Sequence, residues 1–286
     1  MSDSPKERLI NQLLGFVADH PRLSVITGAG CSTASGIPDY RDQQGRWKNR
    51  QPVQFADFRN KAATRQRYWA RSLIGWQRIH QAQPNAAHRA LASLEAAGHI
   101  QGLITQNVDG LHQAAGHQKV IDLHGRLDRV VCLDCDFQQP RQAFQTRLGE
   151  LNPDWLALRA EHAPDGDARL EADFSGFHVP ACPRCAGLLK PDVVFFGENV
   201  PRPRVQEAMA WTRDSDALLV IGSSLMVFSG FRFVREAAAR GQAVLAINQG
   251  HTRADSLLTL KIEHDCGELL QCWAETLLNT NRPVAS

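Results

Sequence analysis

The sequence predicts an α/β chain: a parallel sheet flanked by helices, with a smaller lobe attached. Three observations carry this. Short apolar runs at residues 23–26, 102–105, 217–221 and 243–247 are separated by stretches of helical periodicity, which is the pattern of βαβ units. The first run breaks into the turn Gly28-Ala29-Gly30, as at the phosphate-binding turn of a Rossmann-like sheet. Four cysteines stand in two Cys-x-x-Cys pairs, outside that alternation. Over 286 residues the chain can bury one large domain, or a large and a small one. Its 32 basic and 30 acidic residues nearly cancel, which argues against a dedicated nucleic-acid or membrane-surface protein.

Taken in order, residues 6–19 place Leu9, Ile10, Leu13, Leu14 and Val17 at helical spacing. The polar start, with Asp3 and Glu7, resembles neither a signal nor a transit peptide. No apolar run approaches ~18 residues, so no membrane span is expected. Seven cysteines without a secretion signal suggest a reducing, cytoplasmic setting. The strand at 23–26 leads to a loop over 32–47, long for a βα connection and of the kind that is often functional. If it covers a ligand, Asp39 and Arg41 are its natural contacts. Otherwise it is a surface turn set by Gly36 and Pro38. Residues 55–79 read as helical, aromatic and basic, projecting from the sheet. Residues 84–97 read as a helix with Pro84 at its start and Gly98 past its end. Residues 102–105 and 120–123 are the next strands. Within 132–185 the polar stretch 163–167 reads as a loop. Apolar runs follow at 193–196, 217–221 and 243–247, the last two separated by a helical pattern over 231–240. An amphipathic helix over 267–278 closes the chain.

Chemistry gathers at strand ends, where open α/β sheets bind ligands. Backbone N–H groups of Gly28-Ala29-Gly30 can approach a phosphate, although Thr33 stands where a strict dinucleotide fingerprint has its third glycine. Asn107 and Asp109 lie two apart beyond the strand at 102–105 and share a face. Asp109 could also cap a helix starting near Gly110. His124 ends another strand; it is either a general base with a pKa near ~6.5 or a satisfied structural histidine. Gly222-Ser223-Ser224 and Asn248-Gln249-Gly250 each follow a buried strand. Their small or amide side chains suit ribose hydroxyls and an adenine edge, though each alone is only a turn. Cys132, Cys135, Cys182 and Cys185 can close a tetrahedral Zn²⁺ site with no position left for water. That makes the metal structural, whereas a thioredoxin-like redox pair would be single. Residues 190–198 read as an apolar strand with polar flanks.

The order of these motifs is far more specific than any one of them. Gly28-Ala29-Gly30-Cys31-Ser32, Gly36-Ile37-Pro38-Asp39-Tyr40-Arg41, Thr105-Gln106-Asn107-Val108-Asp109, His124-Gly125 and the two cysteine pairs occur in one sequence that resembles the sirtuin family, NAD-dependent protein lysine deacylases. The resemblance runs over residues 5–278, with Tyr40 standing where many sirtuins carry Phe. It implies that NAD is held by Gly28, Ala29, Gly30, Ser32, Gly36, Asp39, Tyr40 and Arg41. Gln106, Asn107 and Asp109 would sit at the nicotinamide riboside and orient a water. Gly222, Ser223, Ser224, Asn248, Gln249, Gly250 and Cys266 would sit at the adenosine half; Cys266 could otherwise be a small buried hydrophobe. It further implies His124 as catalytic base, and Val194, Phe196 and Gly197 along a channel where an extended acylated-lysine peptide adds as a strand. The implied reaction loses nicotinamide, joins the amide oxygen to C1′ of the ribose, and ends in free lysine and O-acyl-ADP-ribose. Protein mono-ADP-ribosylation would use the same NAD site. A dehydrogenase would want an acidic residue ~20 positions after the glycine turn and an open metal or substrate-binding pair. A bare zinc-ribbon interaction module would leave the NAD-like elements without use.

Two finer expectations complete the reading. A Rossmann-like unit is expected over 1–54, 82–125 and 190–286, and a small lobe with a helical module and the zinc ribbon over 55–81 and 126–189. Arg67-Tyr68-Trp69-Ala70-Arg71 and Gly75-Trp76 resemble the class II branch, that of the mitochondrial fourth human sirtuin and its bacterial relatives. Tyr68 and Arg71, three apart on a helix, share a face and could hold an acyl-chain carboxylate. The expectation is weak deacetylation and better removal of longer or carboxylate-bearing groups. Alternatively Tyr68 packs into the small lobe and Arg71 is solvated.

Overall fold

The computed structural model describes residues 4–48, 52–158, 161–162 and 168–280; the loop expected over 163–167 lies outside the described residues. Helix α1 (Pro5–Asp19) starts on a Ser4–Glu7 capping box and leads into β1 (Leu23–Thr27). Then come α2 (Phe55–Asn60), α3 (Ala62–Gln81), α4 (Ala86–Ala96), β2 (Ile100–Thr105), a short α5 (Leu111–Ala114) and β3 (Val120–Asp122). The middle of the chain forms β4 (Gly125–Cys132), β5 (Gln138–Pro140), α6 (Arg141–Leu151), a two-residue pair β6 (Glu161–His162) and β7 (Ala168–Arg169), and β8 (Leu189–Val193). The chain closes through α7 (Arg202–Asp214), β9 (Ala217–Ile221), α8 (Phe228–Ala239), β10 (Ala243–Ile247), β11 (Leu260–Ile262) and α9 (Cys266–Thr280).

Six strands form one sheet in the order β11-β10-β9-β1-β2-β3, every pair parallel. Every residue of β1 and β9 is buried, because helices cover both faces; this is why their sequences are continuous apolar runs rather than alternations. Alternate side chains still face opposite ways. Val25, Leu103, Leu219 and Leu245 pack with Leu13, Leu91, Leu269 and Trp273 from α1, α4 and α9. Ile26, Ile104, Val220 and Val244 pack with Phe233, Val234 and Ala237 of α8 on the other face. The chain leaves the sheet centre in opposite directions from β1 and β9, so the turns after these strands meet at a topological switch point.

A second sheet, antiparallel in the order β5-β4-β8, packs with α2, α3 and α6 around Phe58, Trp69, Leu73, Phe144 and Leu148. Here the structure corrects the sequence reading. The strand expected at 193–196 runs over Leu189–Val193, pairs with β4 and ends where the apolar run continues. Lys190 and Pro191 disguised it. The Lys190 ammonium is buried, donating to the Val193 carbonyl and to Glu198 Oε2 at 3.0 Å. Pro191 is tolerated because β8 is an edge strand. Glu198 also accepts the Phe195 N–H at 2.9 Å, so this ion pair closes residues 193–198 into a turn. The expected helix start at Pro84 moves to Ala86, capped by Asn85, whose Oδ1 accepts the N–H groups of Ala87 and His88. No helix among the described residues is long and apolar enough to cross a membrane.

Candidate active site

The glycine turn after β1 is pressed against the turn after β9. Gly28 N–H donates to the Ile221 carbonyl at 3.1 Å, and Gly30 N–H to the Gly222 carbonyl at 2.8 Å. A Cβ on Gly222 would lie 2.4 Å from the Cys31 nitrogen, and Gly222 has φ of 57°, so only glycine fits this approach. The two turns form one wall of a cleft of about 1630 Å³ that runs between the parallel sheet and the smaller sheet.

Most of the residues singled out in the sequence line that cleft. Gly28, Ala29 and Gly30 meet Gln106, Asn107 and His124 in its wall. Gly222, Ser223, Ser224, Asn248, Gln249 and Cys266 extend one side; Asp39, Tyr40 and Arg41 bring in the long loop, and Val194, Phe196 and Gly197 the turn after β8. Four of those expected to hold NAD do not line it. Ser32 is buried below the turn, and Asp109 lies with it: Ser32 Oγ donates to Asp109 Oδ2 at 2.7 Å and accepts from Asn107 Nδ2 at 3.0 Å. Asp109 Oδ1 also caps α5 by accepting the Leu111 N–H at 2.9 Å, so it serves both functions the sequence left open. Its burial pushes the carboxyl above the usual range, against those hydrogen bonds. Gly36 ends a short 3₁₀ turn, and Gly250 backs onto Gln43; each is a turn residue at positive φ that supports the long loop.

The strand-end amides are held in place rather than free. Gln106 Nε2 donates to the Thr27 carbonyl at 3.2 Å and to Ser223 Oγ at 2.8 Å, and Asn107 Nδ2 donates to the Gly28 carbonyl at 3.0 Å. In the long loop the Lys48 ammonium pairs with Asp39, and the Arg41 guanidinium sits 3.8 Å over the Trp47 ring and donates to the Gly45 carbonyl.

His124 Nδ1 lies 3.0 Å from the Gln106 carbonyl, and Nε2 lies 2.7 Å from Ser229 Oγ. A carbonyl only accepts, so Nδ1 carries the proton and Nε2 presents its lone pair to the serine hydroxyl. Burial is the main cause that pushes the imidazole down to about 4, with the Arg204 and Arg232 charges adding and the Gln106 hydrogen bond opposing. At neutral pH the ring is therefore uncharged, with a proton-accepting nitrogen at the cleft. Ser229 and Arg232, both lining the cleft, escaped the sequence reading. A single serine at a helix start, 105 positions from its partner, gives no sequence signal.

Tyr68 and Arg71 also line the cleft. The Tyr68 ring packs edge-on against Phe58, Trp69 and Phe195, with centroids 5.2–5.4 Å apart. Arg71 is not simply solvated: its Nε donates to the Ala168 carbonyl of β7 at 2.5 Å. Beneath the site a buried row runs from Ser32 through His88 and His112 to His117, where Nδ1 is 3.2 Å from Glu95. All three histidines are pushed down in pKa, chiefly by burial, and His88 reaches about 4.

The four cysteines of the two pairs converge at the outer end of the smaller sheet. Sulfur–sulfur distances are 3.6 Å for Cys132–Cys185, 3.8 Å for Cys135–Cys182 and 3.4 Å for Cys135–Cys185, and no disulfide joins them. Tetrahedral Zn²⁺ with bonds of about 2.3 Å needs sulfurs about 3.8 Å apart, so the donors fit the ion with small adjustment.

Comparison with known proteins agrees with this geometry. The model of the Sir2 family matches residues 28–229. NAD-dependent protein deacetylase 2 of Bradyrhizobium diazoefficiens is 62% identical over 268 residues, covering 93% of this chain and 97% of its own. The NAD-dependent protein deacetylase of Xanthomonas axonopodis pv. citri is 61% identical over 259 residues, covering 90% and 88%. A solved Sir2 complex with a p53 peptide and NAD⁺ superposes with a TM-score of 0.76 at 30% identity, over 94% of this chain and 99% of that one. A Sir2 bound to acetylated peptide gives 0.74 at 29% identity, over 93% and 98%. The match begins at the glycine turn and ends at Ser229, the partner of His124, and on this evidence the chain belongs to the Sir2 family.

Proposed function

We propose that this chain is an NAD-dependent protein lysine deacylase, acting as a deacetylase, and that the cleft between the two sheets is its active site. One observation carries the proposal: an uncharged histidine, His124, faces the same cleft as the paired turns Gly28–Gly30 and Gly222–Ser224. The Rossmann-like unit (1–54, 82–125 and 190–286) and the small lobe (55–81 and 126–189) frame that cleft. NAD, when bound, supplies an activated ribose carbon by parting from nicotinamide. The protein's part is to bind, orient and move one proton. The backbone N–H of Ala29 would face the phosphates, while those of Gly28 and Gly30 tie the turn to the Ile221 and Gly222 carbonyls; Ser223, Ser224, Asn248, Gln249 and Cys266 would hold the adenosine half. Asn107 and Gln106 orient the reacting ribose, with Ser32 and Asp109 positioning Asn107 from below. His124 Nε2 takes a proton from a ribose hydroxyl, and Ser229 holds that nitrogen until the hydroxyl replaces it. An acyl-lysine peptide lies along Val194, Phe196 and Gly197. Cys132, Cys135, Cys182 and Cys185 hold one structural Zn²⁺ with no open position for chemistry.

The finer class II reading belongs to this proposal as well. Arg71 donates through Nε to the Ala168 carbonyl, and its place beside Tyr68 in the cleft supports contact with a carboxylate at the end of an acyl chain. The test incubates the protein with NAD and acetyl-, glutaryl- and lipoyl-lysine peptides, scored by mass. Peptides that lose the acyl group support deacylation; peptides that gain ADP-ribose while keeping it would favour ADP-ribosyl transfer instead. Arg71→Met is expected to reduce glutaryl removal more than acetyl removal, and equal loss on both would remove Arg71 from acyl recognition.

A further inference from the structure

Two cysteines outside the metal cluster meet at the glycine turn. Cys266, the first residue of α9, lines the cleft and is 9% exposed; its Sγ lies 3.8 Å from the Gly30 carbonyl. Cys31 follows Gly30 directly, is 1% exposed, and belongs to the same apolar cluster, so it sits behind the wall that Cys266 helps to form. Neither forms a disulfide in this structure. We propose that Cys266 and Cys31 are a peroxide-sensitive thiol pair whose disulfide closes this end of the cleft to NAD. The proposal rests on the reading of the cleft as an NAD site.

The two thiols are chemically unequal. The neighbouring Cys31 thiol, with backbone N–H groups of Cys266 and Gly267 at the start of α9, holds the Cys266 thiol below its ordinary pKa. The same contact, together with burial, holds Cys31 well above it. Cys266 is thus the nucleophile and the accessible one, and Cys31 the resolving thiol, the arrangement of a redox-responsive pair. The Cys266 thiolate attacks one oxygen of hydrogen peroxide; the O–O bond breaks, the other oxygen leaves as water, and Cys266 becomes a sulfenic acid. The Cys31 thiol then gives up its proton and attacks that sulfur. The S–O bond breaks and a second water leaves, so two thiols lose two electrons and two protons to one peroxide. An S–S bond of about 2.05 Å draws Cys266 toward the turn. Gly30 has no slack to absorb the shift, since its N–H is tied to Gly222 at 2.8 Å and a Cβ there would already meet that carbonyl at 2.9 Å. The turn that faces the phosphates therefore moves.

The test treats zinc-loaded protein with hydrogen peroxide, follows zinc content, maps disulfides by alkylation and peptide mass, and measures NAD affinity by calorimetry. The expected result is a Cys31–Cys266 cross-linked peptide in protein that keeps its zinc. NAD Kd should rise at least about tenfold and return on treatment with dithiothreitol. NAD added before peroxide should suppress the cross-link. Cys31→Ser should leave a trappable sulfenic acid on Cys266 and no thiol-reversible cross-link. Absence of the cross-link at peroxide levels that begin to release zinc would overturn the proposal, and so would a cross-link that leaves NAD affinity unchanged. The wild-type peptide map does not depend on how well the Cys31→Ser variant folds. Reduced protein that fails to bind NAD would instead overturn the reading of the cleft.

Discussion

Buried neutral histidines make the fold acid-sensitive, and the size of the effect follows from the site. His88 and His124 are each held down to about 4 by burial, against an ordinary value of 6.5. Between these limits the unfolded chain binds more protons than the folded one, so stability rises with pH through the window from about 4 to 6.5. The stability is fully present above 6.5 and is lost as pH falls toward 4. Going from pH 8 to pH 5, each histidine costs about 2 kcal/mol, about 4 kcal/mol for the two. His112 and His117 act in the same direction. Asp109 and Asp122, raised by burial, act in the opposite direction toward the acid end. Urea unfolding at pH 8 and pH 5 should show a fall of about 4 kcal/mol with an unchanged slope. His88→Gln should remove about half of that difference, whatever it does to stability at pH 8. Equal stability at the two pH values, or greater stability at pH 5, would refute the argument.

Three further outcomes are expected. Chelation of the zinc-loaded protein should release about one Zn²⁺ per chain and lower the melting temperature and the activity together, measured by metal analysis and thermal unfolding; an apo protein of undiminished stability would contradict a structural metal. Gly125→Ala places a Cβ 2.0 Å from the Asp192 carbonyl at φ of 82° and should cost more than ~2 kcal/mol in urea unfolding. Arg141 is 1% exposed, stacked 4.8 Å from the Trp76 ring, and its Nη1 makes no hydrogen bond. Arg141→Met should therefore leave stability within ~1 kcal/mol or raise it, whereas Arg141→Ala should lose at least ~2 kcal/mol by cavity formation.

How far the sequence disclosed this molecule depended on whether the signal was local. The buried parallel strands read directly, because covering both faces of a sheet leaves continuous apolar runs such as 217–221. The strand β8 was misplaced because Lys190 looks like a polar flank until its buried partner Glu198 is seen. The polar strand ends were also legible, but only as a group. Which of them line the cleft depends on a second layer: Ser32 and Asp109 look like contacts in the sequence and prove to be supports for Asn107. Ser229, His88 and Arg141 could not be found, because their roles come from partners distant in sequence that only the topology brings near. The cysteines were the opposite case, since two Cys-x-x-Cys turns constrain their own geometry and need only be brought together.

In the proposed function, one histidine in an NAD-binding cleft drives removal of acyl groups from lysine. The direct measurement is nicotinamide released against lysine deacetylated, with an acetyl-lysine peptide, in the wild type and in His124→Ala. One nicotinamide should appear for each lysine freed, with no deacetylation without NAD. His124→Ala should lose at least ~10² in turnover, in a protein that still unfolds like the wild type at pH 8. Deacetylation without NAD, or near-normal turnover in that variant, would contradict the proposed function.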